Sequence, residues 1–475
     1  MAFPFLGGSF NGRSPSFDAQ RSINLYAEVA ENKGARSAVA LYGTPGLKLW
    51  TTLTGGGVRG CIRFSETQAI VVCGTSVWSL TTGAVATLLT GAVTNTSATV
   101  SLASNGSIIM MVTGGTTGYF INPTTMVVTL IVDPDFTGGT RVDYIDGYFV
   151  WAVPSTGRFQ VSQLYGTGIA ALDFATAEGA PDPLVSCIVD HREVWLLGST
   201  STEVWFNAGG ADFPLQRIQG AFLEVGCLAA MSVAKLDNSI YWLATDDRGL
   251  GTIQRAAGYT PTRVSNHAVE FAIASYSVVS DAIAYTYSQE GHSFYVITFP
   301  TAGATWCLDV STGLWHERPY RNVDGTLTRH RSNCQMNFAG KTLVGDWQDG
   351  RVYDLDLDTF DDDGAAILAL RACQHIVDDG KYIFNAALEL FMQTGVGTVS
   401  GQGVNPQARL RWSDDGGYSW SNEHFAPIGP LGNRKTRVKW RRLGVSRDRI
   451  YEVSITDPIR RVFTGAQLTS AGGRV

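Results

Sequence analysis

Residues 192–206 read REVWLLGSTSTEVWF: an apolar run, a short turn of Gly, Ser and Thr, then a second run carrying Trp and Phe. The phrase recurs along the middle of the chain, as QAIVVCGTSVWSL (68–80), GSIIMMVTGGTTGYFINP (106–123), GYFVWAVPSTGRFQVSQL (147–164), NSIYWLATDDRGLGTI (238–253), GHSFYVITFPTAGATWCLDV (291–310) and GKTLVGDWQDGRVYDL (340–355). With Val72, Met110, Val150, Val194, Tyr241, Tyr295 and Leu343 as strand centres, the steps are 38, 40, 44, 47, 54 and 48 residues. A period of roughly 40–50 residues holding several strands is that of β-propeller blades. A four-stranded blade is too thin to bury both of its faces, and radial packing against neighbours covers both. Runs such as IVVC, IIMMV and VWLL, apolar at successive positions, fit strands buried on two sides. The expectation is an all-β chain built on a propeller of seven blades. Six blades plus a divergent unit is the alternative, because the last two steps are longer and the seventh repeat is the weakest.

Ring closure accounts for LYGTPGLKLW, residues 41–50, which pairs a Pro-Gly turn with a short strand similar to GLWHERP (313–319) at the end of the sixth repeat. It is expected to lie beside residues 331–357 and join the two ends of the array, so that the propeller spans 41–365. Residues 1–40 are mostly Gly, Ser, Asn and charge around one apolar phrase, RSINLYAE, and read as an arm lying on a neighbour or on the propeller rim. The repeats stop at DLDLDTFDDDG (354–364). Beyond it ACQHI, ALELFMQT, ARLRWS, VKWRRLG and YEVSIT are strand-like runs without the period, so residues 366–475 are expected to form a separate β-sandwich.

Composition agrees with a mainly β chain. Among 475 residues there are 53 Gly, only 16% are charged and 11% are aromatic, which favours short strands and tight turns. The net charge of −6 is unevenly spread: from residue 366 onward fifteen Lys and Arg face nine Asp and Glu, leaving −12 on the first 365 residues. That acidic part is unsuited to gripping nucleic acid. Seven cysteines (61, 73, 187, 227, 307, 334, 373) form no CxxC pair and sit among apolar residues, and read as buried thiols of a chain folded in a reducing compartment. No stretch approaches the roughly 18 apolar residues of a membrane span, and Met1–Ser16 lacks the pattern of a signal peptide, so neither export nor membrane insertion by a host signal is expected.

Three motifs invite a chemical reading. In RWSDDGGYSW (411–420), Ser413, Asp415, Gly417 and Trp420 have the S-x-D-x-G-x-x-W spacing of an Asp-box, a hairpin turn in which the Asp accepts backbone N–H bonds and the Trp packs beneath. Sialidases repeat this turn in several blades and add an arginine cluster and a Tyr nucleophile with an acid partner. Here it occurs once, outside the repeats, so a structural turn is expected, with a sugar-binding or sialidase-like site as the alternative. The run Asp354, Asp356, Asp358 raises calcium, but an EF-hand loop from Asp354 wants Gly at position six and Glu at twelve, where the chain has Thr359 and Ala365. An acidic stripe facing solvent or a channel is the simpler expectation. The basic run from 434 to 450 carries Arg434, Lys435, Arg437, Lys439, Arg441 and Arg442. Val438 and Trp440 alternate with these charges, giving a strand with one apolar and one basic face that suits an acidic protein partner or, alternatively, DNA phosphates.

The seven histidines show no HxxxH or HExxH spacing, and no GxSxG, P-loop or dinucleotide fingerprint is present. No catalytic, metal or cofactor residue is expected, and no cofactor.

The order of RSINLYAE, LYGTPGLKLW, GGVRG (56–60), AEGAPDPLVSCIVDHREVWLLGSTSTEVWF (177–206), RWSDDGGYSWS and KWRRLG resembles the packaged-DNA stabilisation proteins of short-tailed phages, also called tail hub or nozzle proteins. The resemblance runs from about residue 20 to residue 468. It implies a virion structural protein, not an enzyme, made in the host cytoplasm and assembled in the tail as a hexameric ring below the portal and its adaptor. It also implies that the ring continues the DNA channel without sequence-specific binding, helps retain the packaged genome, and carries tailspike, fibre or needle proteins. A cytoplasmic interaction scaffold is the remaining contrast. Rim loops such as residues 165–181 are candidates for contact with a neighbour, since a cyclic assembly repeats one contact until it closes.

Overall fold

The computed structural model describes residues 5–32, 34–35, 37–94, 98–245 and 249–473; residues 246–248 of the fifth repeat lie outside these. The repeats form antiparallel sheets of four strands, running Val58–Leu88, Ser101–Leu130, Val142–Thr176, Leu184–Leu223, Ala234–Arg263 and Ile283–Glu317. A seventh unit joins Ser332–Phe338, Lys341–Asp346 and Arg351–Asp356 to a fourth strand from far upstream, Gly46–Thr52. That strand pairs Leu47 with Leu355 and Thr52 with Arg351, and so ties the start of the array to its end. Gly46 is needed there because a Cβ would run into the backbone carbonyls of Thr359 and Asp361.

The apolar runs are double-sided for a visible reason. In the first unit Ile70 and Val72 pack toward Ile109 and Met111 of the second, while Ala69 and Val71 join Leu343 of the seventh. The same division repeats at each junction: Met110 with Trp151, Val150 with Leu196, Trp195 with Trp242, Tyr241 with Tyr295, and Val296 with Val344. Every gap between neighbouring units therefore has its own apolar core. The first hairpins of five units turn on two residues that both have positive φ: Asp146-Gly147, His191-Arg192, Asp237-Asn238, Glu290-Gly291 and Ala339-Gly340. Such turns match the twist of the strands they join.

The C-terminal β-sandwich has two sheets. One orders Arg21–Ile23, Ala369–Ala372, Asp448–Ile455, Gln407–Ser413 and His424–Pro427; the other orders Leu25–Val29, Val39–Gly43, Val462–Gly472, Ile383–Met392 and Val438–Arg441. Leu388, Leu410, Val453, Phe463 and Trp440 fill the space between them.

The N-terminal segment corrects the expectation of an arm. Its strands complete both sandwich sheets, Phe5, Leu25 and Ala27 are in the sandwich core with Leu41, and Leu41 to Gly43 belong to a sandwich strand and not to the closing strand. Asn24, at φ +50, lets the chain leave one sheet after Ile23 and enter the other at Leu25, and its side-chain amide donates to Pro319 and Leu368 carbonyls. Arg21–Ile23 also pairs in parallel with the last strand of the sixth unit, so one sheet runs from propeller into sandwich.

The acidic stripe is corrected as well. Asp354 accepts from Lys341 Nζ at 2.6 Å, Asp356 from Lys48 at 3.1 Å and Asp358 from Arg460 at 2.7 Å, so each aspartate is neutralised by its own cation. All seven cysteines are free thiols; five are buried, and Cys61 and Cys334 are partly exposed. Among the described residues no helix is long and apolar enough to cross a membrane.

Candidate functional site

The Asp-box side chains are spent on the turn itself. Ser413 Oγ donates to Asp415 Oδ1 at 2.7 Å and accepts the Gly417 N–H at 2.7 Å, while Asp415 accepts from the Ser419 N–H at 2.9 Å and from its hydroxyl at 2.5 Å. These bonds, the Ser419 hydroxyl first among them, pull the Asp415 carboxyl down to about 2. Trp420 packs toward Ala19, Ile23 and Ile450, with the Arg411 guanidinium 4.8 Å above its ring. Gly417 holds φ at +96°, where a side chain is strained but a Cβ would meet nothing closer than 3.6 Å. Gly417→Ala is therefore expected to cost about 1–3 kcal/mol through the backbone alone. Urea unfolding checks it, and a loss below about 0.5 kcal/mol would show that the turn does not depend on that conformation.

The basic run divides in a way its spacing does not reveal. Val438–Arg441 is the edge strand of its sheet, with Val438 and Trp440 inward and Lys439 and Arg441 on the other face. Register sets Lys439 opposite Glu389. Arg437 donates to Glu389 through Nε at 2.7 Å and through Nη2, Lys439 Nζ stands 3.6 Å away, and these cations hold the Glu389 carboxyl below its ordinary range. Arg434, Lys435, Arg441 and Arg442 are exposed and have no ion-pair partner among the described residues. Beside them Phe384 pairs with Val445 across the sheet, and both are open to solvent at 54% and 44%. An exposed aromatic next to unpaired arginines has the composition of a protein-binding surface more than of a purely solvated face. The sequence showed the charges; Phe384, Val445 and the neutralising Glu389 were visible only through pairing. Among the described residues no group of three or more His, Cys, Asp and Glu could hold a metal.

The family model described as bacteriophage P22 Gp10, beta-propeller, matches residues 1–360, and the one described as bacteriophage P22 Gp10, beta-sandwich, matches residues 370–471. The chain belongs to the bacteriophage P22 Gp10 family. As a member of the Gp10 family it is a phage virion structural protein, and the all-β propeller with its C-terminal sandwich is the architecture those two descriptions name. No curated protein matches the sequence. Among solved structures, the WD40 beta propeller domain of Doa1 is 12% identical with a TM-score of 0.41, over 66% of this chain and 98% of that one. The computationally designed Ika8 protein is 13% identical with a TM-score of 0.36, over 65% and 99%. In this Gp10-family chain the Asp-box and the basic edge strand lie in the sandwich, and the strand carries the larger exposed, unsatisfied charge.

Proposed function

We propose that this chain is the subunit of a tail ring, six copies in the cyclic form, that sits below the portal and its adaptor and extends the DNA channel. It would be made in the host cytoplasm, act without catalysis, help retain the packaged genome, and carry tailspike, fibre or needle proteins. The chain would work in two parts, the propeller and the sandwich, with DNA passing the ring without base-specific contact. The observation that carries this reading is the basic edge of the sandwich: Arg434, Lys435, Arg441 and Arg442 without acid partners, beside exposed Phe384 and Val445. Cationic side chains on an edge strand already discourage pairing with stray strands. Combined with an exposed apolar pair, they also fit an acidic protein surface on the adaptor or on a neighbouring subunit, whose first 365 residues carry a net charge of −12.

The test is a fourfold charge reversal, R434E/K435E/R441E/R442E, scored by co-sedimentation with tail-less particles. Each rim charge adds to encounter and register, so attachment is expected to weaken by about 10-fold or more, more steeply at low salt. Thermal unfolding should stay near that of the parent chain, because these exposed side chains make no ion pair among the described residues. Undiminished attachment would remove the basic edge from the assembly.

A further inference from the structure

At one mouth of the propeller axis the ends of the innermost strands enclose a cavity of about 970 Å³. Its wall comes from the segments that lead into the first, second, fifth, sixth and seventh units, together with inner turns of the first, sixth and seventh. Among the described residues, three charged ones line it: Arg59, Asp281 and Arg329. Arg59 is held by the fold, donating to the carbonyls of Ala98 at 2.8 Å and Gly74 at 2.9 Å.

Arg329 differs. It is only 9% exposed, its guanidinium lies 3.9 Å from the centre of the Trp347 ring, and burial pulls its pKa down to about 10, so it stays charged at neutral pH. It makes no hydrogen bond or ion pair within the described residues, and its nitrogens are not among the atoms sealed from solvent. The groups around it are also unmatched. Trp347 Nε1 and Asp281 Oδ1 are buried without partners, although the other oxygen of Asp281 accepts the Thr301 N–H at 2.8 Å.

We propose that this mouth binds a monoanionic carboxylate that also carries a hydrogen-bond donor, with the Arg329 fork as its receptor. An arginine stacked on an aromatic ring, with its nitrogens open to the cavity and no acceptor of its own among the described residues, is preorganised for two parallel bonds to a carboxylate. The lining charges sum to +1, which a monoanion neutralises; a phosphate dianion would overshoot and face Asp281. The volume is at the upper end of that of small-molecule sites, with room for the carboxyl end or acidic residue of an inserted peptide as well as for a free hydroxy acid. The inference stands apart from the ring reading above, since it rests on the propeller mouth and not on the basic edge.

Titration calorimetry of the full chain tests it, using L-lactate as the free hydroxy acid, acetyl-triglycine as the peptide end, and inorganic phosphate as the dianion. The indole N–H resonance of Trp347, assigned by its loss in W347F, provides a second readout. Saturable binding of lactate or acetyl-triglycine that shifts this resonance is expected, and the tighter of the two identifies the source. R329Q should bind about 10- to 100-fold more weakly, the value of a charge-assisted bidentate contact, with R329K between it and the parent. If R329Q does not fold, R329K and the resonance shift carry the test. Three results would overturn the proposal: no response to either carboxylate at about 10 mM, tighter binding of phosphate than of both, or full affinity in R329Q or R329K.

Discussion

A chain shortened to begin at residue 30 is expected to lose the folded sandwich, not merely an appendage. The deletion removes Phe5, Ile23, Leu25 and Tyr26, all 6% exposed or less. Burying a side chain of this size contributes about 1.5–3 kcal/mol, so the apolar loss alone is about 6 kcal/mol or more, against a typical total of about 5–15 kcal/mol. A second loss falls on Arg371, which is fully buried and donates to the carbonyls of Phe5 and Gly8, each at 2.7 Å, and to Gln20 Oε1. Stripping a buried charge of its partners costs about 3–5 kcal/mol. The shortened chain should be insoluble or should lose the near-ultraviolet signal of its tryptophans and expose residues 366–473 to protease. A soluble product melting within a few degrees of the parent would return the segment to the status of a loose arm.

What the sequence revealed and what it concealed divide along a physical line. The propeller was legible because burial on two faces writes itself as consecutive apolar residues, and radial packing forces that pattern to recur. The closing strand was legible for a local reason, its Pro-Gly turn and its likeness to the end of the sixth repeat. RSINLYAE was misread because Ala369–Ala372, which pairs with its first strand, is more than 340 residues away in the chain, and because one residue, Asn24, sends its second strand into the other sheet, beside Val39–Gly43. The acidic stripe was misread likewise: alternation placed Asp354 and Asp356 correctly on a strand, but the cations that neutralise them come from Lys341 and from Lys48, 308 positions before Asp356. In the basic run, alternation gave the faces, and only register could separate the cations bound to Glu389 from the four left open.

The seam between the two domains carries the second large effect, through a carboxylate that holds its proton too long. Asp362, 6% exposed, pairs with Leu47 of the closing strand and lies between two buried arginines, Arg318 of the sixth unit and Arg461 of the sandwich. Both guanidiniums spend their Nη donors elsewhere, while the Nε of each is buried without a partner. Arg318 donates to Tyr287 Oη at 2.7 Å and to the Pro45 carbonyl, and Arg461 to the carbonyls of Ile367 and Phe360 at 3.1 and 3.0 Å. Asp362 Oδ1 has no partner, and burial lifts its pKa to about 7 despite the pull of the two cations. Below about pH 4 the carboxyl is protonated in both folded and unfolded chains. From there to about pH 7 the native chain keeps a proton that the unfolded chain releases, so stability falls as pH rises through this window and stays reduced above it. Asp362→Asn removes the titration while keeping the shape. Relative to the parent, it should gain of the order of 2–3 kcal/mol on going from pH 5 to pH 8, read from urea unfolding at the two values. A variant that instead loses stability by the same amount at pH 5 and at pH 8 would mean that the carboxylate is ionised in the fold at both values and serves as the counter-charge of Arg318 and Arg461. The seam would then be held by an ion cluster instead of being weakened by a stranded acid.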